Sequence, residues 1–594
     1  MSARIDELVG AMTLDEKIGQ ITQVDRSAIT SEEVAELGIG SILSGGGGNP
    51  DPNTPQTWRA MVDEYVDASR RSRLGIPILY GTDAVHGHSN VVGATIFPHN
   101  IALGAAGDPD LVIRVARATA IETAATGARW SFAPMVAVPQ DPRWGRTFEC
   151  FGQDPELVAE LGAASVSGLQ GPGPGIDVLA CAKHFVADGG TTWGTTGGAE
   201  WVPWWVRAYG GPGWYLDQGD ARIDEATLRE VHLTPYLAAL AEGVGSIMAS
   251  YSSWNGQKVH AHRWLLTDLL KEELGFQGFV VTDYHAVDQV SADYHDAVAS
   301  CLDAGVDMVM VPFDHARFRT TVREVVEAGD LEVERLDDAV RRILRVKEAM
   351  GLLDGAPETL PDPAVLGAPE HRALARQAAA AGAVLLADRS GVLPLPVDAP
   401  VLLAGAGADD VGLACGGWTI EWAGGSGPVT PGSTIADGLA AHLGSRLLVT
   451  GATAEDRRAL DGVTASIGVV VVHEPPYAEG LGDREHLALA PEQAELVAAV
   501  AARVEQVVVV VLSGRPLVLG PVVDLADALV AAWWPGSEAA GIADLLVGTA
   551  PFTGTLPLPW PDGGLVSPSA APDPTPPPRW LPGHGLVAGR SATG

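Results

Sequence analysis

Cysteine is nearly absent from these 594 residues: four occur, at Cys150, Cys181, Cys301 and Cys415, and no two form a Cys-x-x-Cys pair. That excludes a disulfide framework and a cysteine-based zinc site. Positive charge is scarce too. Lys plus Arg number 38 against 74 Asp plus Glu, for a formal charge of −36. Nucleic acid and anionic membrane both need a basic footprint, so neither is expected as a partner, and a neutral substrate suits the balance. No apolar run reaches membrane-spanning length without Gly, Pro or charge. The start, Met1–Leu8, has no apolar core of the signal-peptide kind, so a cytoplasmic location is expected. The histidines lack His-Glu-x-x-His spacing, and no metal is expected. Gly405-Ala406-Gly407 lacks the third glycine of a dinucleotide fingerprint, with Asp410 in its place. Gly45–Gly48 lacks the Lys-Ser/Thr ending of a phosphate-binding loop.

What is present is alternation. A chain this long exceeds one hydrophobic core. Up to residue 350, apolar strand candidates alternate with amphipathic helices: Ile39–Leu43, Ile76–Gly81, Trp130–Val138, Val178–Phe185, Ser246–Tyr251, Gly278–Asp283 and Met308–Pro312. That pattern predicts a parallel sheet closed into a (β/α)8-type barrel, with seven of the eight strands identified. Residues 351–371 are proline-rich and aperiodic and read as a linker. Over 372–565 near-continuous Val/Leu/Ala runs return, as in Ile467–Val472 and Val507–Leu512. These predict a doubly wound α/β sandwich with both sheet faces covered. Residues 566–594 form a Pro-rich tail that is expected to run extended over a surface.

The chemistry collects where strands end. Gly278-Phe279-Val280-Val281-Thr282 stops on Asp283, then Tyr284. A carboxylate there is walled on one side and open on the other, which suits a nucleophile or base, although an Asp in that place also caps helices. Asp83 follows Ile76–Gly81, Lys183-His184 ends Val178–Ala182, and Tyr251 ends Ser246–Ser250. Polar groups at one end of successive strands are how a barrel builds a site. Lys183 is one of only five lysines, and a lysine there favours the ionised form of a neighbouring aspartate. A carboxylate nucleophile needs a second carboxyl as proton donor. Val469–Val472 opens into His473-Glu474-Pro475-Pro476-Tyr477-Ala478-Glu479, and either Glu474 or Glu479 fits that place. Arg143 and Arg146, flanking Trp144, suit sugar hydroxyls, a site carboxylate or a structural ion pair. Thr191–Asp220 carries Trp193, Trp201, Trp204, Trp205, Trp214, Tyr209 and Tyr215 among glycines. Aromatic faces of that kind stack on sugars or anchor interfaces.

Together these segments resemble glycoside hydrolase family 3, in its two-domain β-glucosidase and β-glucan glucohydrolase branch. The matching pieces run in family order: Gly81–Gly87, Ala94–Asn100, Asp141–Arg146, Ala182–Phe185, Ser250–Gly256, Gly278–Asp283, Cys415–Trp422, Glu474–Asp483 and Trp534–Glu538. The resemblance implies a barrel, then an α/β sandwich, with the site between them and no cofactor. It implies Asp283 as nucleophile and Glu474 as acid/base. It implies Asp83, Arg146, Lys183, His184 and Tyr251 as ligands of the terminal sugar, Met248 beneath it, and Trp422 with Tyr284 clamping the next sugar. Three departures stand out. Tyr284 replaces a usual Trp, His473 replaces a usual Gly, and the Trp-rich insertion replaces a segment that carries a sugar-binding acid in relatives, a part Asp217 or Asp220 is expected to take.

The resulting expectation is a retaining, exo-acting hydrolase of β-glucosides or gluco-oligosaccharides, as a monomer or homodimer. A β-xyloside or other β-glycoside specificity, and a non-catalytic sugar-binding protein, stand as alternatives.

Overall fold

Thr22-Gln23-Val24-Asp25 is four residues long and polar in three of them, yet it is the first strand of a closed barrel. It is the strand the apolar pattern does not reveal. A computed structural model describes residues 3–196, 214–354, 359–396, 398–449, 465–563 and 577–588. The chain falls into two compact units, one of Met1–Ala94, Val112–Val138 and Gly162–Leu366, the other of Thr95–Leu111, Pro139–Leu161 and Gly367–Gly594.

In the first unit the barrel strands are β1 (Thr22–Asp25), β2 (Ser41–Ser44), β3 (Leu79–Thr82), β4 (Trp130–Ser131), β5 (Cys181–Phe185), β6 (Ser246–Ala249), β7 (Phe279–Val281) and β8 (Val309–Met310), with a separate small sheet of Asp220–Ala221, Ser253–Trp254 and Gln257–Lys258. A five-stranded sheet runs β8-β1-β2-β3-β4 and a three-stranded one β7-β6-β5. Parallel bridges Trp130↔Leu179 and Met135↔Lys183 join β4 to β5, and Val281↔Met308 joins β7 to β8. The ring is therefore continuous, eight strands, all parallel. Strand β4 is shorter than the apolar run Trp130–Val138 suggests because Pro134 has no N–H to give a ladder.

Local chemistry sets the crossover helices. The helix Pro55–Arg70 starts on Thr54, whose hydroxyl accepts from Thr57 N–H, with Pro55 at its first turn. Trp58 of that helix and Trp130 of β4 are fully buried. Asp307, with no exposed surface, accepts from Lys271 Nζ at 2.7 Å and from the Val280 N–H at 2.9 Å, which anchors β7 from its lower end.

Burial has a pH consequence in this unit. Desolvation pushes the His88, His232 and His260 imidazoles down, to about 3, about 4 and about 3. Below the free-histidine value near 6.5 the unfolded chain binds protons that the folded one refuses. Stability from these three groups is full above that value and is lost as pH falls toward 3. We expect the thermal midpoint to drop between pH 6.5 and 5, because by pH 5 each imidazole has lost on the order of 2 kcal/mol of stability. A midpoint that stays flat over this interval in calorimetry contradicts it.

The second unit holds β9 (Val384–Asp388), β10 (Val401–Ala404), β11 (Leu447–Val449), β12 (Ile467–His473), β13 (Gln506–Leu512) and β14 (Ala528–Ala531). The order is β9-β14-β13-β12-β10-β11, parallel except for β9, which pairs antiparallel with β14. Val469–Val472 and Val507–Val511 are buried, as strands covered on both faces must be. The apolar run Ala383–Ala387 predicts the edge strand β9, but its antiparallel direction and the short edge strand β11 are not evident from the runs of valine. Of the tail, Trp580 bridges antiparallel to Trp560, and His584 Nε2 lies 2.8 Å from Leu386 O. Among the described residues no helix is long and apolar enough to cross a membrane. No cluster of His, Cys, Asp and Glu among them is arranged to hold a metal.

Candidate active site

In the barrel unit, four strands deliver polar groups at their C-terminal ends. Asp83 lies one residue past β3, Lys183 and His184 lie within β5, Tyr251 lies two past β6 and Asp283 two past β7. Lys183 Nζ, almost wholly buried, stands 3.8 Å from Asp83 Oδ1. Asp188 Oδ2 is 2.9 Å from His184 Nδ1, and His184 Nε2 is 3.5 Å from Asp283 Oδ2. An Asp–His–Asp line thus leads to the buried Asp283 carboxylate and fixes the imidazole's orientation. Asp283 Oδ1 accepts the Tyr284 N–H at 2.7 Å, and the Asp283 N–H donates to His260 Nε2 at 3.1 Å. Met248 is buried and pairs in register with Val281.

Two expected sugar contacts are bound to protein. The Tyr251 hydroxyl donates to Tyr284 O, and Tyr251 O accepts from Lys258 Nζ at 2.7 Å. Burial pushes the Lys258 ammonium down to about 8. Burial raises the Tyr284 phenol above its ordinary value, and the nearby Asp25 and Asp83 carboxylates add to it. Phe313, 49% exposed, packs edge-on to Tyr284 with centroids 6.0 Å apart.

Of the Trp-rich insertion, Trp201, Trp204, Trp205 and Tyr209 lie outside the described residues. Trp193 stacks on Tyr215 at 4.9 Å. Trp214 Nε1 donates to Asp217 Oδ2 at 3.0 Å, and the Gly256 N–H donates to Asp220 Oδ1 at 2.8 Å. Each of the two acids from which a sugar contact was expected thus holds a hydrogen bond to protein.

The second unit supplies the remaining candidates. Arg146 holds Glu149 in a bidentate pair, 2.9 Å at each nitrogen, and its Nη1 reaches Glu479 Oε1 at 3.3 Å. Its guanidinium carbon lies 6.0 Å from the Trp418 ring centre. Trp418 and Trp422 share the loop after Cys415, and the Trp418 N–H donates to Trp422 O at 2.9 Å. This joins Arg146, Glu479 and Trp418 directly and places Trp422 beside them in the chain.

The two glutamates of the β12 loop differ. Glu474 is 3% exposed, and Arg515 Nε donates to its Oε1 at 3.1 Å. The Tyr477 hydroxyl and the Gly514 N–H donate to its Oε2 at 2.9 and 3.3 Å. Arg515 also donates to the carbonyls of Arg143 at 2.9 Å and of Gly482. Both Glu474 oxygens are occupied as acceptors inside a packed knot. Glu479 is 17% exposed and opens the 3-10 turn Glu479–Gly482, in the left-handed region with φ 51°. His473 is braced through its backbone, its N–H on Gln493 Oε1 at 2.6 Å and its carbonyl taking Gln493 Nε2 at 2.7 Å.

Residue-type reasoning missed Asp188, His260, Asp25 and Arg515. Arg515 had a signal, since Ser513-Gly514-Arg515 ends the apolar β13. His260 had none, because its partner is a backbone N–H.

The Glycosyl hydrolase family 3 N terminal domain matches residues 13–204 and 210–346, and the Glycosyl hydrolase family 3 C-terminal domain matches residues 383–579. The chain is 31% identical to a lysosomal beta glucosidase of Dictyostelium discoideum, across 94% of this chain and 72% of that one. It is 30% identical to a periplasmic beta-glucosidase of Salmonella typhimurium, across 94% of this chain and 74% of that one. A crystal structure of an exo-1,3/1,4-beta-glucanase variant from a Pseudoalteromonas species superposes with a TM-score of 0.89 at 37% identity, covering 99% of this chain and 95% of that one.

Proposed function

The chain belongs to glycosyl hydrolase family 3 and is a glycoside hydrolase; from that premise we propose that Asp283 is the nucleophile of a double displacement that frees glucose from the non-reducing end of β-glucosides and β-glucan oligosaccharides. The observation that carries this is the Asp188–His184–Asp283 line at the C-terminal end of the barrel, beside the Lys183–Asp83 pair. In this reading Asp83, Lys183 and His184 hold hydroxyls of the terminal sugar, with Met248 below and Tyr251 and Tyr284 beside them; Arg146 and Trp422 are carried over from the family resemblance as further sugar contacts.

Asp283 attacks the anomeric carbon, and the glycosidic oxygen leaves with a proton from the donor acid. Water, deprotonated by the same acid, then releases the sugar with its configuration retained. This path requires the two carboxyl groups about 5–5.5 Å apart across the bond. Resemblance points to Glu474 as the donor; the hydrogen bonds favour Glu479. A donor needs an oxygen that can turn to the leaving group, and Glu474 spends both of its oxygens on Arg515, Tyr477 and Gly514. Glu479 Oε1 takes the Arg146 guanidinium at 3.3 Å.

Laminari- and cello-oligosaccharides should lose one glucose at a time from the non-reducing end, with the β anomer appearing first in the NMR spectrum. First release of the α anomer, or cleavage at internal bonds, contradicts the proposal. Faster hydrolysis of an aryl β-xyloside than of the β-glucoside moves the specificity to the xyloside. We further read the linker as 351–371, the assembly as monomer or homodimer, and the location as cytoplasmic. The two named relatives are lysosomal and periplasmic, so fractionation of the source cells decides the last.

A further inference from the structure

The ladder between β6 and β7 stops two residues short of the nucleophile. Its register pairs Phe279 with Ser246, Val280 with Ile247 and Val281 with Met248. The Phe279 N–H donates to Gly245 O at 3.3 Å. Parallel ladders repeat every two residues, so a continued ladder would bring the Asp283 N–H to Ala249 O. It goes to His260 Nε2 instead, at 3.1 Å. The same imidazole faces the backbone of Ser250, one residue past β6. A backbone N–H is always a donor, so Nε2 is the acceptor here and the ring proton sits on Nδ1. The ring is 1% exposed.

We infer that His260 is a positioning residue for the nucleophile, a rigid spacer that takes the place of the next rung between the ends of β6 and β7 and so sets where the Asp283 carboxylate stands. This deepens the proposed function and rests on Asp283 being the nucleophile. Three further contacts support it. Tyr251, next to Ser250, donates its hydroxyl to Tyr284 O, on the far side of the Asp283–Tyr284 peptide. Lys258, two residues before His260, donates to Tyr251 O at 2.7 Å and to Gln289 Oε1 at 3.3 Å. The segment from Tyr251 to His260 therefore grips the nucleophile's corner from its N–H and from the following carbonyl. Burial, with the Lys258 charge adding to it, keeps the imidazole in the neutral form that can accept. A free rung would let two splayed strand ends drift, and a displacement near 1 Å at a reacting atom costs roughly a hundredfold in rate.

The test is a pair of variants, His260→Leu, which removes the acceptor, and His260→Gln, whose amide can both accept and donate. Rates are taken per titrated active site on an aryl β-glucoside. The covalent step is read directly as the rate of trapping by 2-deoxy-2-fluoroglucosyl fluoride. We expect the leucine variant to lose roughly 10- to 100-fold in kcat and in trapping rate, with the inhibition constant for glucose within about twofold of the parent. The glutamine variant should recover most of that loss. Should the leucine variant not fold, His260→Asn, with its shorter reach, replaces it and the same split is expected. A trapping rate equal to the parent's, or equal impairment in the leucine and glutamine variants, overturns the inference. If Asp283→Ala remains active, the reading beneath fails instead; an inactive Asp283→Ala beside a normal His260→Leu sinks only the spacer role.

Discussion

Asp283→Ala should lose turnover by a factor on the order of ten-thousandfold or more, while thermal stability and glucose binding stay near the parent's. The size follows from the loss of the covalent path itself. Without a carboxylate at that point, water must displace the leaving group in one step at a centre shaped for two. The sugar's other contacts remain, since the Lys183–Asp83 pair and the Asp188–His184 pair do not run through Asp283. The Asp283 carboxylate is buried, so its removal also lifts a desolvation cost, and the fold should not suffer. Isothermal titration with glucose and an aryl-glucoside assay on the same preparation check both halves. Turnover within tenfold of the parent would remove Asp283 from the mechanism.

Glu479→Ala and Glu474→Ala should fail in different ways. Loss of a general acid costs typically 10²–10⁴-fold, concentrated on substrates whose leaving group needs a proton. Glu479→Ala is expected to show that loss on laminaribiose and much less on a dinitrophenyl glucoside, and added azide should speed the second step by standing in for activated water. Its stability should hold, because Arg146 keeps its bidentate pair with Glu149 when Glu479 is removed. Glu474→Ala leaves the fully buried Arg515 without its carboxylate, and a broken buried pair costs about 3–5 kcal/mol. That variant should melt early and lose activity on all substrates alike. If Glu474→Ala keeps its melting point and shows the leaving-group dependence and the azide rescue, the donor is Glu474.

The barrel's working end was legible because an apolar strand that ends on a charge is conspicuous. Asp83, Lys183-His184, Tyr251 and Asp283 stood out in that way, and the structure sets them at the ends of β3, β5, β6 and β7. Strand β1 was not legible, since Thr22-Gln23-Val24-Asp25 offers one apolar side chain and its burial comes from neighbours on both sides. The allegiance of residues 139–161 was not legible either. Their Pro142–Trp144 carbonyls are held by Arg515, more than 370 residues on, and such a tie leaves no local pattern. Choosing between Glu474 and Glu479 needed hydrogen-bond partners that sequence spacing does not supply. His260 was invisible for the related reason that it serves a main-chain N–H.

The central claim is a covalent bond between sugar and Asp283. Incubation with 2-deoxy-2-fluoroglucosyl fluoride, proteolysis and peptide mass spectrometry test it most directly. The account predicts one fluoroglucosyl group per chain, on the peptide ending β7 and localised to Asp283. A label on any other residue, or rapid hydrolysis with no label at all, would contradict it.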